Sequence, residues 1–532
     1  MDQSIPWTFR INGIFSRQIK IEESFETIAD RFAALEGTII LLSGGDLECA
    51  RYHILAARPW LAFRGYGKQL QITTYKKSTH FEGDPFDTLR AISNAFRIEG
   101  KDLPQPVAAG LFGYLAYDLK DHLETLPRTA INDLDLPDIC FFAPSIILVE
   151  DKKTGRTSLT IPKRVDGKKP LWEGDLADFE CILKKPVPHK RHFSGEPGGF
   201  QSNFTRPVYE NAVNTIKDYI AAGHVYQVNM SQRFEMDFHG DGYSFFRTLY
   251  EENPAPFYAY INAGDHQVIS TSPERFLHLN DKKIETRPIK GTRPRGNTSA
   301  EDEQFKYELI RSKKDDAELS MIVDLLRNDH GKVCVAGSVK VAEHKRLEAY
   351  QNVYHLVSIV TGELEKEQDA IDLVKATFPG GSITGCPKIR AMEIIDELEP
   401  TRRHVYTGAI GYLGFHGTMD LNIAIRTAVV LNGQSLFSVG GGIVFDSNSA
   451  DEYEETLHKG HTLMTVFKET SDYKHPNNYA WVNGVFKPLE TVTVGVTAPG
   501  FQYGHGFFET IYSVKGHCPL LIDHLDRFNR TW

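Results

Sequence analysis

TRPVYENAVNTIKDYIAAGHVYQVNMSQRF, Thr205 to Phe234, decides the fold class. Pro207 takes a first-turn position where its missing N–H costs nothing, Val213, Ile216 and Ile220 recur at helical spacing, and Gly223 supplies a stop. Beyond the stop the pattern becomes extended. Tyr226 to Phe234, Phe257 to Ile261, His266 to Ser270 and Arg275 to Leu279 read as strands, and helices are expected from about Asp315 to Asn328 and from Glu452 to Phe467. The sequence before this stretch alternates in the same way, with strand-like runs at Thr38 to Leu42 and Ser145 to Val149 and helical patterns at Phe25 to Leu35 and Phe86 to Phe96. The expectation is a mixed α/β (α+β) layer structure.

Two breaks in composition divide the chain. KKPVPHKRHFSGEPGGFQSNF, Lys184 to Phe204, has the Pro, Gly and basic content of a linker or long surface loop, and ETSDYKHPNN, Glu469 to Asn478, precedes a new strand-and-turn pattern near Trp481. The predicted regions are therefore 1–160, 200–468 and 478–532. A net charge of -10 gives no support to a nucleic-acid partner. Six scattered cysteines without a C-x-x-C pair read as reduced thiols, and the longest apolar run, near Phe141 to Val149, is too short to cross a bilayer. With no signal-peptide pattern at the start, a cytoplasmic protein with no membrane association is expected.

Several polar residues stand in apolar surroundings. In DDAELSMIVDLLRND, Glu318 falls on the margin of the stripe formed by Leu319, Ile322, Val323, Leu325 and Leu326, so its carboxylate needs a cation or donors, although a solvated edge or a salt bridge also satisfies the pattern. Ser449 and Glu452 match the S-x-x-E capping box, which gives Glu452 a structural task and leaves Glu455, one turn on, free to face a cleft. Two carboxylates from separate helices suit Mg2+. Glu274 of TSPERFLHL and Lys290 of ETRPIKGTRPRG lie on neighbouring extended segments. Burial would help Lys290 lose its proton and become a nucleophile, whereas pairing with Glu285 would make it structural.

Two glycine segments, PGGSITGCPK with Thr384, Gly385 and Lys388, and VGGGIV with Gly440 and Gly441, read as loops whose N–H groups can close around a carboxylate. Neither has P-loop or Rossmann spacing, so nucleotide binding is not indicated. His355, Tyr406 and Arg426 are polar residues in apolar stretches. Arg426 interrupts a buried strand pattern in LNIAIRTAVV, which calls for an anion from a substrate or from a structural Asp or Glu.

These segments, together with HLVSIVTGEL, YTGAIGY and GGGIVFDSNSADEYEET, resemble the chorismate-utilising enzymes over about residues 1–468. The resemblance implies one large fold with a two-sheet sandwich core, surrounding helices and an integrated N-terminal layer. It also implies that Glu318 and Glu455 ligate Mg2+ at the ring carboxylate of chorismate, with Glu452 acting through water. Glu274 would be the acid at the C4 hydroxyl. Arg426 and Tyr406 would hold the enolpyruvyl carboxylate with N–H groups of Gly385, Gly440 and Gly441, while His355 and Thr384 line the ring and Lys388 lies nearby. TRPIKGT resembles the aminodeoxychorismate synthases of the family, where anthranilate synthases have alanine at Lys290.

No glutaminase domain is recognisable, so a glutamine amidotransferase partner supplying ammonia is implied. LLSGGDLECARYHILAARP is similar to the region that forms a tryptophan pocket in relatives, with a structural role equally open. From Trp481 the chain resembles the incomplete opening of a fold-type IV pyridoxal-phosphate enzyme, in which Arg527 would meet the cofactor phosphate. The cofactor lysine of that class falls beyond Trp532, so pyridoxal phosphate (PLP) is not expected to bind here, and the fragment is expected to pack loosely.

Overall fold

A computed structural model describes residues 9–469 apart from 21, 76, 101, 168, 189–191, 197 and 198, and the backbone of 479–482 and 485–488. Residues 1–471 form one compact unit and 472–532 a second. In the second unit Tyr479–Val482 pairs with Val485–Pro488 as an antiparallel hairpin. Arg527, the FQYGHGFFET turn and the packing expected of the fragment lie outside the described residues.

The first unit is built on one long antiparallel ladder that doubles back on itself. The Gln227–Gly240 strand pairs with Gln434–Ile443, and the ladder continues through Thr427–Leu431, His266–Ser272, Phe257–Asn262 and Thr38–Leu42 to the long strand Tyr52–Tyr66. Tyr52–Tyr66 runs beside Ile139–Asp151, and between Pro59 and Leu61 their register shifts. Pro59 and Pro144 face each other at this bulge, where neither can donate to the ladder, and both strands bend there into the second layer. That layer continues through Gly110–Leu115, Ala409–Gly414, Met419–Ile423, Arg275–Asn280 and Lys283–Arg287 to Val353–Glu363, which also pairs with Ile289–Pro294 and Lys340–Ala349.

Apolar side chains fill the space between the layers, among them Ile39, Ala56 and Ile261 from the first and Phe112, Tyr114 and Tyr412 from the second. Asn422 reaches across, its Nδ2 donating to the Phe257 carbonyl at 2.9 Å. The outer face of the first layer is covered by Phe25–Asp30, Gly242–Glu252 and Ser449–Glu469, and that of the second by Pro85–Ala95 and Ala370–Thr377. The two-sheet sandwich with surrounding helices is thus the observed architecture.

Three local expectations differ from the structure. The helix predicted to Leu35 stops at Asp30, because Thr38 Oγ1 takes the Phe32 carbonyl and Asn262 Nδ2 takes that of Ala33. The segment expected to be a linker contributes Phe193–Gly195 and Gln201–Ser202 as short strands against Gln227–Gly240. The VGGGIV segment is not a loop: Gly440 and Gly441 lie inside the Gln434–Ile443 strand, opposite Ser231 and Met230. No helix among the described residues is long and apolar enough to cross a membrane, and the five described cysteines are free.

Candidate active site

Glu274 ends the turn between His266–Ser272 and Arg275–Asn280, and Lys290 lies on Ile289–Pro294 opposite Leu356, one residue from His355. The Glu274 side chain is 4% exposed. Its Oε1 accepts from Ser382 Oγ at 2.7 Å, and the Ile289 N–H donates to the same carboxyl. Burial outweighs these donors and the nearby Lys290 and Arg426, pushing the acid up to about 7. Lys290 retains part of its exposed surface and forms no ion pair with Glu285, which is engaged by Arg275 and Arg287. Burial pulls the Lys290 amine below lysine's ordinary pKa, Lys459 acts in the same direction, and Glu318, Glu274 and Glu455 oppose them. A carboxyl group whose proton affinity is raised and an amine whose proton affinity is lowered therefore share one neighbourhood.

Arg426 adjoins this pair. Its backbone is in the left-handed region, at φ 50°, and its carbonyl is fixed by Thr271 N–H and Oγ1. Burial lowers the pKa of its guanidinium, countered by Tyr258, Tyr350 and Glu274, and its side chain makes no hydrogen bond or ion pair with any described residue. An unpaired arginine in a low-dielectric setting is a seat for an anion. His355 is buried beside it, with Nδ1 2.9 Å from Thr292 Oγ1, its ring 4.9 Å from Tyr350 and Nε2 without a partner. Burial and the Arg426 charge push His355 down to about 3, so the imidazole is neutral near pH 7.

Glu318 and Glu455 also act on Lys290. Burial, aided by Glu455 and Asp315, raises the pKa of Glu318, and the side chain makes no ion pair among the described residues. Ser449–Glu469 is not opened by Ser449: Asn448 Oδ1 accepts from the N–H groups of Ala450 and Asp451 at 3.0 and 3.2 Å. Glu452, freed from the expected capping role, accepts from Ser447 Oγ at 2.7 Å, and burial with the neighbouring Glu455 raises its pKa. Glu455 is paired with Lys459 at 2.7 Å, and Lys459 also donates to the Gly440 carbonyl at 2.9 Å.

The glycines of the strand make this approach possible. A Cβ on Gly441 would stand 2.9 Å from Glu452 Oε2 and 3.7 Å from Glu455 Oε1, and one on Gly440 would stand 2.4 Å from the Met230 carbonyl. Among the described residues no three His, Cys, Asp or Glu side chains form a closed metal cage. Glu455, whose own pKa Lys459 holds down against burial, raises the proton affinity of both Glu318 and Glu452, and carboxylates so placed beside a side-chain-free strand fit a hard cation that keeps water or substrate oxygens as its remaining ligands.

The remaining predicted residues have other attachments. Tyr406 lies with its ring 5.8 Å from the Arg403 guanidinium, and the next residue, Thr407, donates to the carbonyl of Ala424, two positions before Arg426. Thr384 turns its hydroxyl back to the Gly380 carbonyl at 3.0 Å, and Gly385 pairs with Val228. Lys388 is held by Asp329 at 2.5 Å and by the Thr377 carbonyl at 2.8 Å, so its charge is already satisfied. Sequence reasoning did not single out Ser382, Asn229, Tyr350 or Lys459. Ser382 stands inside PGGSITGCPK and Asn229 inside the stretch from Thr205 to Phe234, segments that the sequence marks on other grounds.

A separate cavity of about 260 Å³ lies between the layers, lined in part by Leu41, Ser43, Cys49, Phe257, Tyr412 and Asp420. It contains none of the predicted site residues, and it lies where LLSGGDLECARYH contributes Leu41, Ser43, Cys49 and Arg51.

A family profile described as chorismate binding enzyme matches residues 50–465. The chain is 39% identical over 442 residues to anthranilate synthase component 1 of Cereibacter sphaeroides, covering 80% of this chain and 88% of that protein. It is also 39% identical over 452 residues to aminodeoxychorismate synthase component 1 of Escherichia coli strain K12, covering 83% and 96%. Of solved structures, anthranilate synthase component I from Streptococcus pneumoniae TIGR4 matches with a TM-score of 0.70 at 31% identity, covering 79% of this chain and 93% of that one. MenF, the menaquinone-specific isochorismate synthase from Escherichia coli, matches with a TM-score of 0.64 at 16% identity, covering 86% and 94%, a likeness of fold alone. Equal identity to relatives with two different products leaves the choice of product to the site.

Proposed function

Because this chain belongs to the family of chorismate-binding enzymes, we propose that it aminates chorismate at C4 to give 4-amino-4-deoxychorismate, the step that leads toward 4-aminobenzoate and folate. The observation that carries this reading is Lys290: a half-buried amine of lowered pKa, without a fixed acid partner, beside a carboxyl group that retains its proton up to about pH 7. Arg426, with Tyr406, is assigned to the enolpyruvyl carboxylate, and His355 to the ring as a neutral hydrogen-bonding group. Backbone N–H groups at Gly385, Gly440 and Gly441 would assist. Glu318 and Glu455 would hold Mg2+, with Glu452 acting through water. Bound there, the ion would anchor the ring carboxylate and offset its charge.

In the first half-reaction the Lys290 amine bonds to C2, the ring double bonds shift, and the C4–O bond breaks. Glu274 supplies the proton with which that oxygen leaves as water. In the second, ammonia bonds to C4, the double bonds shift back, and the C2–N bond breaks to return Lys290 as a neutral amine. The extra proton on the new ammonium passes to the Glu274 carboxylate. Chorismate and ammonia give aminodeoxychorismate and water, and no pyruvate is lost.

Ammonia is assigned to a glutamine amidotransferase partner, and the cytoplasm is the compartment expected for this chemistry. Equal identity to an anthranilate synthase component favours one second reading, in which ammonia attacks at C2 and pyruvate is eliminated. Incubating the chain with chorismate, Mg2+ and ammonium and identifying the product by mass separates the two. Aminodeoxychorismate supports the proposal; anthranilate with pyruvate overturns it.

A further inference from the structure

The carboxyl group of Glu274 is held from a direction that the proposed chemistry does not yet use. Ser382 lies in the tight turn Gly381–Ile383 and is 5% exposed. Its hydroxyl donates to Glu274 Oε1 at 2.7 Å. The turn is itself fixed to the Gln227–Gly240 strand at several points. Asn229 Nδ2 donates to the Ser382 carbonyl at 2.6 Å, and the Asn229 N–H donates to the Thr384 carbonyl at 2.8 Å. Arg403 closes the frame, donating from Nη1 to the Ile383 carbonyl at 3.0 Å and from Nη2 to the Asn229 carbonyl at 2.7 Å. Glu399 holds Arg403 through both carboxylate oxygens. The serine hydroxyl is thus aimed at one oxygen of the acid by a turn that Asn229 and Arg403 hold in place.

We infer that Ser382 and Asn229 are positioning residues for the general acid: Asn229 fixes the turn, and Ser382 occupies Glu274 Oε1 so that the transferable proton resides on Oε2. The inference rests on the proposed role of Glu274. A hydroxyl that donates to a carboxyl favours its ionised form, so the contact also limits how far burial drives the proton affinity upward. The other groups acting on Glu274 are the Ile289 N–H, Lys290 and Arg426, all of which favour ionisation too. Without Ser382 the acid would bind its proton more tightly and have an additional rotamer open to it, and proton delivery would slow.

The test is the pH dependence of kcat/KM in the full chain with chorismate, Mg2+ and ammonium, for wild type, Ser382→Ala, Ser382→Thr and Asn229→Ala. The alkaline limb of Ser382→Ala is expected to move upward by roughly one pH unit, the equivalent of one hydrogen bond to a charged group. The same variant should lose about ten-fold in kcat with KM for chorismate little changed. Ser382→Thr, which retains the hydroxyl, is expected to restore the limb, and Asn229→Ala to move it in the same direction by less. A limb in Ser382→Ala that coincides with wild type overturns the inference. If Ser382→Ala does not fold, Ser382→Cys serves, since a thiol fills the site but donates weakly, and an unmoved limb there is equally decisive. A wild type that yields anthranilate would defeat the proposed product but leave this comparison intact, because the C4 oxygen leaves with a proton on either route.

Discussion

Two groups of buried and half-buried cations lie within the same sandwich and differ in what faces them. Arg275 is engaged by Asp420 and Glu285, Arg287 by Glu285 and Glu48, and Arg346 by Glu48 and Glu348. Their acid partners hold all three guanidinium groups above arginine's ordinary pKa despite burial. Arg426 and Lys290 have no such partners, and burial lowers both. The first group neutralises itself and needs nothing from outside. The second has no such compensation, and in the proposed function the two carboxylates of the substrate supply it. A fold tolerates uncompensated charge where function uses it, and the contrast is measurable because the two groups should respond oppositely to substitution.

The largest contrast is expected at Lys290. Lys290→Met removes the proposed nucleophile and should lower kcat/KM for aminodeoxychorismate by about 10⁴-fold. Thermal stability should not fall, since no ion pair is broken. A variant that melts early, or that retains its amination rate, would place Lys290 in the structural class after all. Next is Arg287→Met, in the self-neutralised group. It leaves Glu285 with Arg275 alone and Glu348 with Arg346 alone, and should cost about 1–3 kcal/mol by denaturant titration. Arg426→Met is the counterpart. Folding should be unaffected or slightly strengthened, while KM for chorismate rises by roughly 10- to 100-fold, the value of one lost carboxylate contact. Equal stability losses in Arg287→Met and Arg426→Met would dissolve the comparison.

This division explains which parts of the molecule were readable in the sequence. Thr38–Leu42 was predicted to the residue, and Phe257–Asn262 and Lys313–Gly331 to within a few positions, because apolar periodicity is a local property. The pairing of His266 with Leu431 and of Thr38 with Asn262 is set by packing between distant segments, and no local pattern encodes it. Polar residues set in apolar runs, Glu274, Lys290, His355 and Arg426, drew attention for the same reason that they converge: each needs a compensating group. Ser382 did not, because a serine among glycines reads as turn chemistry. Gly440 and Gly441 were taken for a loop because glycine usually marks one; here it occupies a strand so that Glu452 and Glu455 can approach the backbone. Lys388 looked available only because its partner, Asp329, is 59 residues earlier in the chain.

The smallest effect separates the two groups by pH instead of by substitution. The self-neutralised arginines do not titrate in any accessible range, so pH dependence near neutrality should arise from the active site. In the proposed mechanism Glu274 must carry its proton to expel the C4 oxygen, so the alkaline limb of kcat/KM should begin near pH 7 and fall ten-fold per unit above it, while protonation of Lys290 sets the acid limb. Stability should follow with the same sign. The folded-state pKa lies above the ordinary carboxylate value, so the folded protein binds more protons between pH 4.5 and about 7, and stability declines as pH rises through that window. Glu274→Gln cannot ionise. It should lose most activity, show no alkaline limb in what remains, and melt at a temperature that no longer declines relative to wild type between pH 5 and 8. A wild-type melting temperature as flat as that of Glu274→Gln would mean that the buried carboxyl group ionises freely, and the acid of the mechanism would have to be sought elsewhere.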